Sequence, residues 1–151
     1  MNNLSKYIIE KLRINKDIKS VYNYQPKDKK ELKSLIKKLI EERGNDADLN
    51  DIDVSKVTEM YRLFYKSEFN GDISRWDVSN VKYMDKMFSD SKFNGDISRW
   101  DVSNVEDMNS MFFNSKFNQN ISEWDVSNVK DMFRMFDDSP LEKNPPKWYH
   151  E

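Results

Sequence analysis

Trp76, Trp100, Trp124 and Trp148 stand 24 residues apart each time. The text Trp-Asp-Val-Ser-Asn-Val recurs at 76–81, 100–105 and 124–129, and a first copy, Ile52-Asp53-Val54-Ser55-Lys56-Val57, lies one period earlier. The register holds through four units, 52–75, 76–99, 100–123 and 124–147, without an insertion, and Trp148 begins a fifth. A period of this length marks a repeat array, in which no unit buries its own apolar face and stacking supplies the missing cover.

Within a unit, Val81, Met84, Met87 and Phe88 fall at i, i+3, i+6 and i+7, the spacing of one face of a short helix. Val57-Met60-Leu63-Phe64, Val105-Met108-Met111-Phe112 and Val129-Met132-Met135-Phe136 repeat it. Ser55, Ser79, Ser103 and Ser127 stand where an N-cap is wanted. Ser91–Asp96 reads as a turn with Phe93 as its apolar anchor, and Ile97–Val102 as a short extended segment with a bend at Ile97. Stacking then predicts columns: the four tryptophans; Phe69, Phe93, Phe117 and Leu141; Val54, Val78, Val102 and Val126. Recurring Asp77, Asp101 and Asp125, with Asn70, Asn94 and Asn118, would satisfy backbone groups of the turns.

The expected fold is an α/β solenoid: a short leucine-rich-repeat-like stack of about four 24-residue units with an N-terminal helical cap. Residues 1–48 form that cap. Their clearest helix is 28–44, opened by Asp28 and Glu31 at capping-box spacing and closed by Gly44. Leu32, Leu35, Ile36, Leu39 and Ile40 make its apolar stripe. A second helix is expected around Leu4, Ile8, Ile9 and Leu12, and an extended stretch over Ile18–Tyr24. Residues 49–139 are the stack. Residues 140–151, where Pro145-Pro146 replaces Ile-Ser, form a C-terminal cap. Charge divides along the same line, net +4 over residues 1–48 and net −6 over 49–151.

Composition excludes much chemistry. There is no cysteine, the one histidine is His150, and three glycines provide no phosphate-cradling loop. The Asp columns lack the dense oxygen-ligand spacing of a calcium loop. Asp72 with Asp77, or Asp96 with Asp101, could be drawn as a catalytic pair, but an active site does not need a copy in every unit. No enzymatic activity, cofactor or metal is therefore expected. The basic face of the 28–43 helix is interleaved with Asp28, Glu31, Glu41 and Glu42, which argues against a nucleic-acid or membrane partner.

The phrase Phe-Asn-Gly-Asp-Ile-Ser-x-Trp-Asp-Val-Ser-Asn-Val-x-x-Met-x-x-Met-Phe, at 69–88 and 93–112, resembles the BspA-like leucine-rich-repeat family. The likeness covers about 52–139. It implies a right-handed solenoid of short strands and helices that binds proteins or cell surfaces without catalysis. Members occur among mycoplasma lipoproteins and other bacterial surface proteins, and in phage genomes. No signal-peptide core or lipobox cysteine accompanies the repeat here, so a cytoplasmic protein is expected.

Positions that stay constant between units build the scaffold, and those that vary are free to meet a partner. Tyr61, Tyr65, Tyr83, Phe113 and Phe133 are aromatics at varying positions and form the candidate partner-binding set. Lateral packing on Lys and Met stems is the competing reading. The expected function is a non-enzymatic protein–protein interaction module presenting one rigid solenoid face to a protein, with no small-molecule substrate. The alternatives are a phage- or prophage-type inhibitor that blocks a host defence or nucleic-acid-handling protein, and a cell-surface adhesin fragment.

Overall fold

A computed structural model describes residues 22–151. The helix expected around Leu4–Leu12, and the part of the expected extended stretch before Tyr22, lie outside the described residues. Helix α1 spans Lys29–Arg43. The Asp28 carboxylate accepts from the Glu31 backbone N–H at 2.9 Å, and Glu31 accepts from the Lys27 N–H at 2.8 Å. The first bond satisfies a donor that a helix N-terminus leaves unpaired, and the second ties down the residue before the cap. Gly44, at φ +92, ends the helix by donating to the Ile40 carbonyl. Leu32, Ile36 and Leu39 are buried against the first coil.

The secondary structure corrects the expected fold class. Among the described residues there is one α-helix, α1, and a single 3-10 turn at Pro140–Glu142. Strand character is limited to isolated parallel bridges, Tyr24 to Ile52, Asp48 to Asp72, and Glu59 to Tyr83 to Asp107 to Asp131. With no sheet and no helix in its repeats, the chain is not an α/β solenoid and not leucine-rich-repeat-like. It is a stack of coils built from turns.

The physical reason lies in where the backbone donors go. Over 60–67, the N–H groups of Leu63, Tyr65 and Ser67 close turns onto the carbonyls three residues back. Those of Met60, Arg62, Phe64 and Lys66 leave the coil and bond Tyr83, Asp85, Met87 and Ser89 of the next at 2.8–3.0 Å. A helix would send every one of them to residue i−4. Arg62 and Lys66 both have φ +55, as do or nearly do Lys86, Asp90, Ser110, Asn114, Arg134 and Asp138. A positive φ at the third residue is the signature of a type II turn and breaks a helix. The i, i+3, i+6, i+7 spacing is thus met by successive turns that each return an apolar side chain inward. The extended reading of 97–102 also fails: Asp96 accepts from the Ser98 N–H, and the Trp100 N–H closes onto Ile97. Ser79 caps no helix; its N–H and hydroxyl both donate to Asp77.

Side chains stack in register. Trp76 and Trp100 lie parallel with centroids 6.4 Å apart, and so do Trp124 and Trp148. Phe69, Phe93 and Phe117 follow at 6.2 and 6.3 Å, and Phe64, Phe88, Phe112 and Phe136 at 5.6–5.8 Å. Each indole N–H donates to a carbonyl of the coil before it: Trp76 to Leu49, Trp100 to Ile73, Trp124 to Ile97 and Trp148 to Ile121, at 2.9–3.1 Å. Asn80, Asn104 and Asn128 tie coils together through Ser55, Ser79 and Ser103, and Asn70 and Asn94 receive the N–H of Asn94 and Asn118. The indole bonds satisfy buried groups and the Asn bonds tie the surface turns, while the buried Ser91 hydroxyl has no partner. At its far end Trp148 covers Trp124, and Tyr149 meets Phe136 edge-on at 4.9 Å.

Close packing sets a test. A methyl group on Gly71 would collide with the Ala47 carbonyl oxygen and stand 2.6 Å from the Phe69 ring. At Gly95 the nearest backbone atom is farther, Gly71 O at 3.2 Å, and the next coil already carries Gln119 at this position. Gly71→Ala is expected to lose about 1–3 kcal/mol in urea unfolding. Gly95→Ala should lose clearly less, and the reverse order would contradict this packing.

Candidate protein-binding face

The turns that replace the expected helices decide which side chains reach solvent. In 60–67, Met60, Leu63 and Phe64 point inward, whereas Tyr61, Arg62, Tyr65 and Lys66 are exposed. Tyr61 and Tyr65 are each 38% exposed, Tyr83 40% and Phe133 57%, while Phe113 is half-buried.

The structure does not gather all five. Tyr65 and Phe113 hold equivalent positions two coils apart, with Ser89 between them, and line one depression of about 170 Å³ together with Lys86, Asp90, Ser110 and Arg134. Tyr61 sits at the other side of its turn under the Lys29 ammonium of α1, 3.1 Å from the ring centroid. Phe133 lies at the end of the stack, beside Lys130, Met132, His150 and Glu151. Tyr83 belongs to the bridge column of Glu59, Asp107 and Asp131.

Cations cover three of the rings. Besides Lys29 on Tyr61, Arg62 and Lys66 approach Tyr65 at 5.6 and 5.3 Å, and Arg134 lies 4.7 Å over Phe113 while bonding Asp137 at 2.9 Å. Such contacts hold a ring in place. The cations Lys86 and Arg134, which stand at varying positions between the apolar anchors, join this face although the candidate set held aromatics alone. Their column, Arg62, Lys86, Ser110 and Arg134, bears no mark of a left-handed turn. Its companion, Lys66, Asp90, Asn114 and Asp138, does, since Asn and Asp tolerate positive φ best.

The recurring carboxylates are occupied in turns. Asp53, Asp72, Asp77, Asp96, Asp101 and Asp125 each accept from the serine two residues on. Those bonds hold the Asp101 and Asp125 carboxyls below the usual range. Asn120 makes the same bond to Ser122, so the turn requires an acceptor and no charge. Asp107 is the exception: burial raises it, with Asp85 and Asp131 adding like charge. Arg43 bonds both Asp51 oxygens at 3.0 Å and lowers that carboxyl, fastening the end of α1 to the stack. Among the described residues no three His, Cys, Asp or Glu side chains are grouped to hold a metal ion.

A family model described as "Mycoplasma protein of unknown function, DUF285" matches residues 30–148. The chain belongs to this DUF285 family. The match takes in α1 and Trp148, so helix, coils and closing tryptophan form one family unit. It also corrects the resemblance drawn from 69–112: no BspA-like leucine-rich-repeat family matches, and the coils lack the strand that a leucine-rich repeat requires. No curated protein matches the DUF285 chain, and no solved structure does. Among its described residues no helix is long and apolar enough to cross a membrane.

Proposed function

We propose that the chain is a non-enzymatic binding protein whose turn face, centred on Tyr65 and Phe113, meets a protein partner. One observation carries this: two aromatic rings and two cations converge on a shallow depression with small Ser89 and Ser110 at its base. Aromatic and arginine side chains on a rigid support are the usual anchors of protein interfaces. The scaffold loses little backbone freedom on binding, because each coil is already fastened to the next by its backbone. The binding reading needs no cofactor, and the Asx turns leave the repeated carboxylates no role in acid–base chemistry. The same reading is made for a cytoplasmic chain, and fractionation of the native cells tests that part of it.

The test of the face is paired. The immobilised chain should retain a specific protein from a lysate of its own organism. Tyr65→Ala with Phe113→Ala should weaken that binding about tenfold or more while the melting temperature stays close to that of the parent. Undiminished capture by the double variant would rule this face out.

A further inference from the structure

Twelve backbone hydrogen bonds of one kind join the coils. The N–H groups of Met60, Arg62, Phe64 and Lys66 reach the second coil. Met84, Lys86, Phe88 and Asp90 reach the third, and Met108, Ser110, Phe112 and Asn114 the fourth, all at 2.8–3.0 Å. The direction never changes: donors face the C-terminal end of the stack and carbonyls face the N-terminal end. The equivalent donors of the fourth coil, Met132, Arg134, Phe136 and Asp138, have no acceptor among the described residues. The equivalent carbonyls of the first coil, Glu59, Tyr61, Leu63 and Tyr65, have no donor there either. Phe136 and Leu63 are buried residues, where an unpaired backbone group is costly.

The caps cover the core and leave these rims. Trp148 and Tyr149 rest on Trp124 and Phe136. At the other end a groove of about 490 Å³ separates Ile36, Lys37 and Ile40 of α1 from Leu63–Tyr65. Charge differs between the two rims. In the groove Lys33 and Lys37 outnumber Glu41, whereas in the recess beside Phe133 Asp131 and Glu151 outnumber Lys130.

We propose that the fourth-coil rim is a docking edge for the first-coil rim of a second copy of this chain. The donors of 132–138 would take the carbonyls of 59–65 in the register that the stack repeats three times. An ordinary extended strand fits poorly, because the row advances through turns with positive φ at alternate donors; the first coil has the same turns at Arg62 and Lys66. The contact is head-to-tail, so a pair of copies leaves one rim of each kind open to a further copy. It is small, so association is weak and is sought at high-micromolar to millimolar protein.

The test is amide exchange followed by NMR across a dilution series of the full chain. With rising concentration, exchange at Met132, Arg134, Phe136 and Asp138 should slow by about tenfold or more. Met135, Asp137 and Ser139, closed within their own turns, and Met60, Arg62, Phe64 and Lys66, bonded inside the stack, should not change. Lys33→Glu with Lys37→Glu should shift the concentration dependence about tenfold higher at low salt without changing the melting temperature. Exchange independent of concentration, or protection that ignores the alternation along 132–138, would overturn the proposal. So would self-association that the lysine variant leaves untouched.

Discussion

Trp100→Ala is expected to cost about 3–5 kcal/mol, a large share of the stability of a chain this size. Trp100 is 4% exposed. Its ring lies against Trp76 at 6.4 Å and Phe88 at 6.3 Å, and its N–H is bonded to Ile73 O at 3.0 Å. Truncation opens a cavity in the middle of a one-dimensional stack, where each coil has only its two neighbours for cover. It also strands a buried carbonyl. Trp100→Phe separates these effects: the stacked ring survives in smaller form, while Ile73 O loses its donor at about 1–3 kcal/mol. Tyr83→Ala, at a 40% exposed position, should fall within about 0.5 kcal/mol of the parent. Urea unfolding of the three variants checks the order Trp100→Ala, Trp100→Phe, Tyr83→Ala. Equal losses at Trp100 and Tyr83 would defeat the division between scaffold and face.

That division is the part of the molecule most legible in the text. Stacking at a constant interval puts the same residue in the same surroundings, so Trp76, Trp100 and Trp124 repeat because each must fill one slot and reach one carbonyl. The conformation between those slots is less legible. Val57, Met60, Leu63 and Phe64 face inward whether the chain turns as a helix or as successive i→i−3 turns, and apolar spacing does not separate the two. What separates them is the backbone at Arg62 and Lys66, and neither residue type announces a positive φ. The pairing of Tyr65 with Phe113 does not depend on that choice: both stand one residue after the Phe column with Ser89 between them, so any stack in register brings them to either side of it. The family resemblance rests on shared words in the repeat, and those words do not carry a leucine-rich-repeat architecture, which requires a strand that these coils do not form.

Lys86 is one of the residues that the turn architecture holds at positive φ. Its φ is +55 and its N–H bonds Asn109 O at 2.9 Å. Proline would lock φ near −65° and remove that N–H, so Lys86→Pro is expected to lose about 3 kcal/mol or more. Lys86→Gly discriminates between architectures. In a helix, glycine here would lose about 0.5–1 kcal/mol. In a left-handed turn it relieves about 1–2 kcal/mol of steric cost and gives back about 0.4–1 kcal/mol through the freer unfolded chain, leaving stability unchanged or slightly raised. Urea unfolding of both variants decides, and a clear loss in Lys86→Gly would mean that the turn reading is wrong. The column could carry glycine throughout, yet it holds Arg62, Lys86 and Arg134, three cations kept on the exposed side in a strained conformation. If the face binds, that strain is held where contacts are made. Lys86→Gly removes a cation from the Tyr65–Phe113 depression without weakening the fold, so a loss of partner capture in this variant reports a lost contact rather than unfolding.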